Sequence, residues 1–179
     1  MSRNKKSLLL LWLMLLGVFL GTFSVAQAAG NVAAKDFILK DMTGKNHTLS
    51  QYKGKWVIVN YWATWCPPCL EEVPDFVALY DSRKNKDVMI IGAVFDYQNA
   101  KEVTDYVNDM LISYPIVLGD DDVMKQIGFT EVLPTSYIYN PRGELVKVKH
   151  GMVTKQYLEA FMAHALPKGG EVKKGVTPN

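Results

Sequence analysis

Cys66 and Cys69 are the only cysteines in the 179-residue chain, and they stand three positions apart in Trp65-Cys66-Pro67-Pro68-Cys69. A disulfide between them closes almost no loop, whereas a structural disulfide gains most by closing a long one. The spacing therefore reads as a redox pair of an oxidising compartment. The residues from about Pro67 to Arg83 predict a helix, and a helix N-terminus offers partial positive charge and unpaired N–H groups that favour a thiolate. Cys66, at the helix start, is expected to be the exposed nucleophile. Cys69, one turn inside, is expected to resolve the mixed disulfide.

Proline suits a first helical turn, where its missing N–H costs nothing. Pro67 and Pro68 together nevertheless withdraw two donors from the Cys66 sulfur, leaving the Cys69 N–H as the nearest. The Cys66 pKa is expected to fall only toward the upper part of the roughly 3.5–7.5 range of activated thiols. A weakly stabilised thiolate disfavours the dithiol form, so the pair is expected to reduce rather than oxidise.

The elements that must position this pair follow from the hydrophobic pattern. Phe37–Lys40 and Asn46–Leu49 flank a Gly44 turn and predict a hairpin. Trp56–Trp62, nearly all apolar or aromatic, reads as a buried central strand that delivers the chain to the motif. Val88–Phe95 predicts a second buried strand and Ala100–Met110 a helix capped by Asn99. Pro115–Leu118 predicts a short strand, and Asp120–Ile127 a short helix ended by Gly128. Thr135–Tyr139 and Leu145–Lys149 predict a hairpin around Asn140-Pro141-Arg142-Gly143, and Thr154 caps a last helix through about Leu166. This order predicts an α/β three-layer sandwich with a central mixed sheet.

The first residues carry an address. Arg3, Lys5 and Lys6 precede an uncharged run, and Ala26-Gln27-Ala28 supplies the small residues of a signal-peptidase site. Residues 1–28 are read as a cleaved signal peptide; the alternative is an uncleaved anchor, since the apolar part approaches the roughly 17–25 residues that span a bilayer. No cysteine near the cleavage site suggests a lipoprotein. Residues 29–166 form the expected domain, and 167–179 a disordered tail. The leader holds three of the twenty Lys and Arg and none of the eighteen Asp and Glu, so the remainder carries seventeen against eighteen, a net −1. This balance gives no reason to expect nucleic acid or a polybasic membrane surface as a partner.

Four further features bear on chemistry. Glu72 is expected at the edge of a helical stripe formed by Cys69, Val73, Phe76, Val77 and Tyr80, half-buried one turn from Cys69. There its raised pKa would suit it to relay the Cys69 proton; otherwise it is a solvated first-turn Glu. Pro74 should kink the helix. Trp65 is expected at the rim, contacting partners or simply packing, with Tyr61 and Trp62 in the core. His47, His150 and His164 are scattered and make no zinc site with the cysteines. Leu70 follows Cys69, so the chain has no haem-attachment C-x-x-C-H.

Tyr61-Trp62-Ala63-Thr64-Trp65-Cys66-Pro67-Pro68-Cys69 resembles the active-site strand and turn of the thioredoxin superfamily, and more narrowly the TlpA/ResA/CcmG(DsbE)-type extracytoplasmic reductases. Glu72-Val73-Pro74, Leu133-Pro134-Thr135-Ser136 and Asn140-Pro141-Arg142-Gly143-Glu144 add to the likeness, which spans about Asp36 to Leu166. The resemblance implies a thioredoxin-like fold with an added N-terminal hairpin and an inserted βα segment. It implies that Pro134 is cis, packs on the sulfurs and frees the preceding backbone for a substrate chain; on sequence alone Pro134 would be an ordinary trans strand-start proline. It implies a functional Glu72, and a partner surface from Trp65, Pro67, Pro68, Leu133 and Thr135. The implied partners are disulfide- or thiol-bearing periplasmic proteins, apocytochrome c among them, with a membrane thiol donor resupplying electrons. No cofactor or metal is needed. Alternatives are a disulfide oxidase or isomerase and a Cu(I)-carrying module; a peroxiredoxin would need a separate peroxidatic cysteine.

Overall fold

The computed structural model describes residues 34–165. β1 (Ile38–Lys40) and β2 (Asn46–Thr48) pair antiparallel, and a 3₁₀ turn follows at Leu49–Tyr52. Then come β3 (Trp56–Trp62), α1 (Pro67–Arg83), β4 (Val88–Val94), α2 (Ala100–Asp109), β5 (Ile116–Leu118), α3 (Asp121–Ile127), β6 (Thr135–Tyr139), β7 (Leu145–His150) and α4 (Lys155–Ala165). The expectations for 1–28 and 167–179 lie outside the described residues. No helix among the described residues is long and apolar enough to cross a membrane.

Five strands form one sheet in the order β5-β4-β3-β6-β7, with β3, β4 and β5 parallel and β6 and β7 antiparallel to their neighbours. Every residue of β3 and β4 is buried, as strands covered on both faces must be. Alternation divides them between two cores. Trp56, Ile58 and Trp62 join side chains of α1, α2 and α4 on one face. Val57, Val59 and Tyr61 join α3 and the hairpin residues Phe37 and Leu39 on the other. The caps expected at Asn99 and Thr154 form, Asn99 Oδ1 accepting from the Glu102 N–H and Thr154 Oγ1 from the Tyr157 N–H, and Asp120, expected inside its helix, caps it instead, with Oδ1 accepting from Asp122 and Val123.

The hairpin is tied down by polar groups that the sequence reading passed over. Asp41 makes an antiparallel bridge to Val117 and the Met42 N–H donates to the Ile116 carbonyl, covering the outer edge of β5. His47 is fully buried, with Nε2 2.8 Å from Asp41 Oδ2 and Nδ1 2.5 Å from the Tyr52 hydroxyl. The 3₁₀ turn, absent from the expectations, is what brings Tyr52 there. Burial alone would raise the Asp41 pKa, but hydrogen bonds from His47, Thr43 and the Lys45 N–H outweigh it and hold the carboxyl at about 2. A depressed carboxyl stabilises the fold above its unfolded pKa and loses that contribution as pH falls through the folded value. Asp41→Ala should therefore lose about 1–3 kcal/mol near neutral pH, read by urea denaturation. The gap from wild type should close between roughly pH 4 and pH 2.

Candidate active site

β3 is antiparallel to β6 and parallel to β4, so its C-terminal end opens where the sheet changes from parallel to antiparallel. There the chain leaves Trp62 and, after Ala63-Thr64-Trp65, enters α1. Cys66 is the N-cap residue, extended at φ −95° and ψ 101°, with prolines in the first two helical positions. Cys66 and Cys69 are joined in a disulfide. The expectation of an exposed Cys66 is corrected in this oxidised state. The residue is only 4% exposed, against 0% for Cys69, and both lie in the cluster with Trp62, Ala63, Val73 and Phe76. Cys66 remains the more accessible of the two.

The donor count around Cys66 also shifts. The Cys69 N–H, expected to be the nearest donor left for the Cys66 sulfur, instead donates to the Cys66 carbonyl at 2.9 Å, as does the Leu70 N–H at 3.1 Å. Cys66 makes no side-chain cap hydrogen bond. The Leu70 bond is the regular first bond of the helix, so the one first-turn N–H that the prolines leave, that of Cys69, goes to a carbonyl rather than to sulfur.

Glu72 is not half-buried at a stripe edge but 1% exposed. The buried face of α1 runs through Cys69, Glu72, Val73, Phe76 and Leu79, alternating steps of three and four, while Val77 and Tyr80 are only half-buried. That advance centres Glu72 on the core side. Its Oε1 accepts from Asn60 Nδ2 at 2.8 Å and its Oε2 from the Val153 N–H at 3.0 Å. Asn60 Nδ2 also donates to Ser136 Oγ at 3.2 Å. Burial pushes the Glu72 pKa up to about 7, against the lowering pull of Val153, Asn60 and Lys149. Asn60 and Ser136 were missed, although a lone Asn inside Trp56–Trp62 signals a buried polar group that must have a partner.

On the neighbouring strand the Leu133–Pro134 peptide is cis. Thr135 pairs in register with Tyr61, which sets Pro134 level with Trp62 at the end of β3 that leads to Cys66. Leu133 packs against the cluster that holds both cysteines. Pro67 and Pro68 are exposed, as a partner surface requires. Thr135 departs from its expected place on that surface. It is fully buried, its Oγ1 donates to the Val132 carbonyl at 2.7 Å, and it therefore supports the Leu133 loop from behind. Trp65 is 58% exposed, with its indole N–H donating to the Asp96 carbonyl at 3.0 Å. Tyr61 and Trp62 are core residues, as expected. His150 Nδ1 lies 3.0 Å from Thr135 Oγ1. Among the described residues no group of three or more His, Cys, Asp or Glu could hold a metal.

A chemistry of exchange between thiols and disulfides is what this geometry can perform, and known proteins of similar sequence and structure carry it in their names. Residues 31–148 match the AhpC/TSA family. The chain is 33% identical over 145 residues to the thiol-disulfide oxidoreductase ResA of Bacillus subtilis, covering 81% of this chain and 79% of that protein. It is 31% identical over 160 residues to sporulation thiol-disulfide oxidoreductase A of the same organism, covering 87% and 96%. The crystal structure of StoA from Bacillus subtilis superposes with a TM-score of 0.62 at 30% identity, covering 73% of this chain and 98% of that one. A thiol:disulfide interchange protein of the thioredoxin family from Chlorobium tepidum superposes with a TM-score of 0.67 at 27% identity, covering 73% and 93%. With a redox cysteine pair at the start of α1 and these relatives, the chain belongs to the AhpC/TSA family as a thiol–disulfide oxidoreductase of thioredoxin fold.

Proposed function

We propose that the protein works outside the cytoplasm as a reductant of disulfides in partner proteins, apocytochrome c being one fitting substrate. The observation that carries the direction is the scarcity of donors for the Cys66 sulfur: two prolines remove N–H groups, and the Cys69 N–H turns to the Cys66 carbonyl. A thiolate without such donors is less stabilised, and a less stabilised dithiol gives up electrons more readily. The leader and the A-x-A site support the location. A reductant in an oxidising compartment needs resupply, for which a membrane thiol donor is the fitting source.

In the reaction the Cys66 thiolate attacks one sulfur of the partner's disulfide, and the other leaves as a thiolate that takes up a proton. Cys69 then loses its proton and attacks the Cys66 sulfur. The partner's second thiol is released and the Cys66–Cys69 bridge forms. Two electrons and two protons pass to the partner. Glu72, one turn along the buried face from Cys69, is placed to accept the Cys69 proton, and a carboxyl titrating near 7 can both hold and release it. Pro67, Pro68, Trp65 and the backbone at Leu133 form the surface met by the partner chain. The cis Pro134 ends that surface beside the pair, and Thr135 braces it.

Equilibration against glutathione or dithiothreitol tests the direction. A potential near or below about −270 mV is the expected result, and one near about −120 mV would recast the protein as a disulfide donor. Cys69→Ser should accumulate a mixed disulfide with substrate, visible by mass spectrometry, while Cys66→Ser should form none. Glu72→Gln should slow resolution of the mixed disulfide by about tenfold to a hundredfold. Wild type should gain resolution rate as pH rises through about 7, where Glu72 becomes a base, and the variant should lose that inflection.

A further inference from the structure

The residue two positions before Cys66 is held by a different helix. Thr64 Oγ1 donates to Glu102 Oε1 at 2.7 Å. The other carboxylate oxygen of Glu102 accepts from the Gln98 N–H at 2.8 Å, while the Glu102 N–H donates to Asn99 Oδ1 at 3.0 Å. In an ordinary capping box the third helical residue turns its side chain back to the N-cap N–H. Here one oxygen reaches past the cap to Gln98 and the other leaves the helix for the redox loop. The Thr64 hydroxyl, followed by the Gln98 N–H, holds the Glu102 carboxyl below its ordinary pKa, so it is charged and a strong acceptor.

The same junction is tied a second time. Trp65 Nε1 donates to the carbonyl of Asp96, a residue in the left-handed region at φ 53°, and the Phe95 N–H donates to the Trp62 carbonyl at 2.9 Å. Both residues immediately before Cys66 are thereby bound to the segment Asp96–Glu102, although they are the half-buried and exposed part of the loop. The Ala63 carbonyl accepts the Cys66 N–H at 3.2 Å, so orientation imposed on Thr64 passes directly to the nucleophile's backbone. Thiol–disulfide exchange depends on access and on which sulfur is presented, and small misplacements of a reacting group slow reactions severely.

We propose that Glu102 is a positioning residue for thiol–disulfide exchange, holding through the Thr64 hydroxyl the loop that presents Cys66 to a partner's disulfide. This rests on the reading of Cys66 as the nucleophile. The reduced full-length protein is mixed with excess 5,5′-dithiobis(2-nitrobenzoate), and the second-order rate of thiol release is followed by stopped flow beside thermal unfolding. E102A and T64V should each react about tenfold more slowly, as expected for loss of a hydrogen bond to a charged group. T64V/E102A should be no slower than E102A, since both remove one interaction. E102Q keeps an oxygen for Thr64 and should stay within about threefold of wild type. N99A removes the cap of the same helix, so it should lower Tm as E102A does while reacting within about twofold of wild type. Wild-type reactivity in E102A, additive losses in the double variant, an E102Q as slow as E102A, or an equally slow N99A would each overturn the proposal. C66S separates the two ideas: if it is inert and E102A is fast, only the positioning role fails; if it reacts, the nucleophile reading fails with it.

Discussion

Placing a carboxyl group in an apolar interior is expensive in its charged form unless hydrogen bonds replace the lost water. Glu72 is held between these limits. The amide of Asn60 and the N–H of Val153 each serve one oxygen, which is enough to let it ionise but not enough to return it to an ordinary carboxyl range. The arrangement draws on four parts of the chain at once: β3 supplies Asn60, β6 supplies Ser136 behind it, the turn before α4 supplies Val153, and α1 carries Glu72 itself. If the sheet slipped by one residue, Asn60 would turn to the opposite face and leave the carboxyl unpaired. The register of β3 between β4 and β6 is therefore bound to the acid–base properties of the interior beside Cys69.

The other end of the helix start follows a different economy of donors. A helix N-terminus normally presents free N–H groups to an anion, yet the two prolines remove two of them and the Cys69 N–H turns to the Cys66 carbonyl. The electrostatic gain available to a thiolate is reduced without moving the cysteine off the helix. Geometry for attack and stabilisation of the attacking form are thus separable in this motif, the first set by the N-cap position and the second by what occupies the positions after it.

Much of this was legible in the sequence, because the signals are local. The cysteine spacing, the apolar run that ends at Trp62, the caps at Asn99 and Thr154 and the turn at Asn140–Gly143 each depend on a few neighbouring residues, and each of these elements appears within a residue or two of its expected bounds. What escaped depends on tertiary contact. The burial of Glu72 turns on which side of the Cys69–Val73–Phe76 line is covered, that of Glu72 and Leu79 or that of Val77 and Tyr80, and this is decided by the sheet that α1 packs on. The role of Asn60 lay hidden in a strand read as apolar, and His47 looked isolated because its partner Tyr52 arrives through a 3₁₀ turn with weak sequence signals. The burial of Cys66 comes from the tertiary cluster it joins at the start of α1, which spacing along the chain does not show.

The two borders of the main sheet are treated unequally. The backbone of Asp41 and Met42 seals β5, while no described strand pairs with the outer side of β7, where Leu145, Lys147 and His150 are exposed and Lys149 half-buried. An unpaired strand recruits any extended segment by main-chain pairing, a hazard for an enzyme whose substrates are themselves polypeptides. The hairpin removes that hazard at one border by pairing, and the lysines of β7 oppose it at the other by charge, so the two borders resist strand addition by different means.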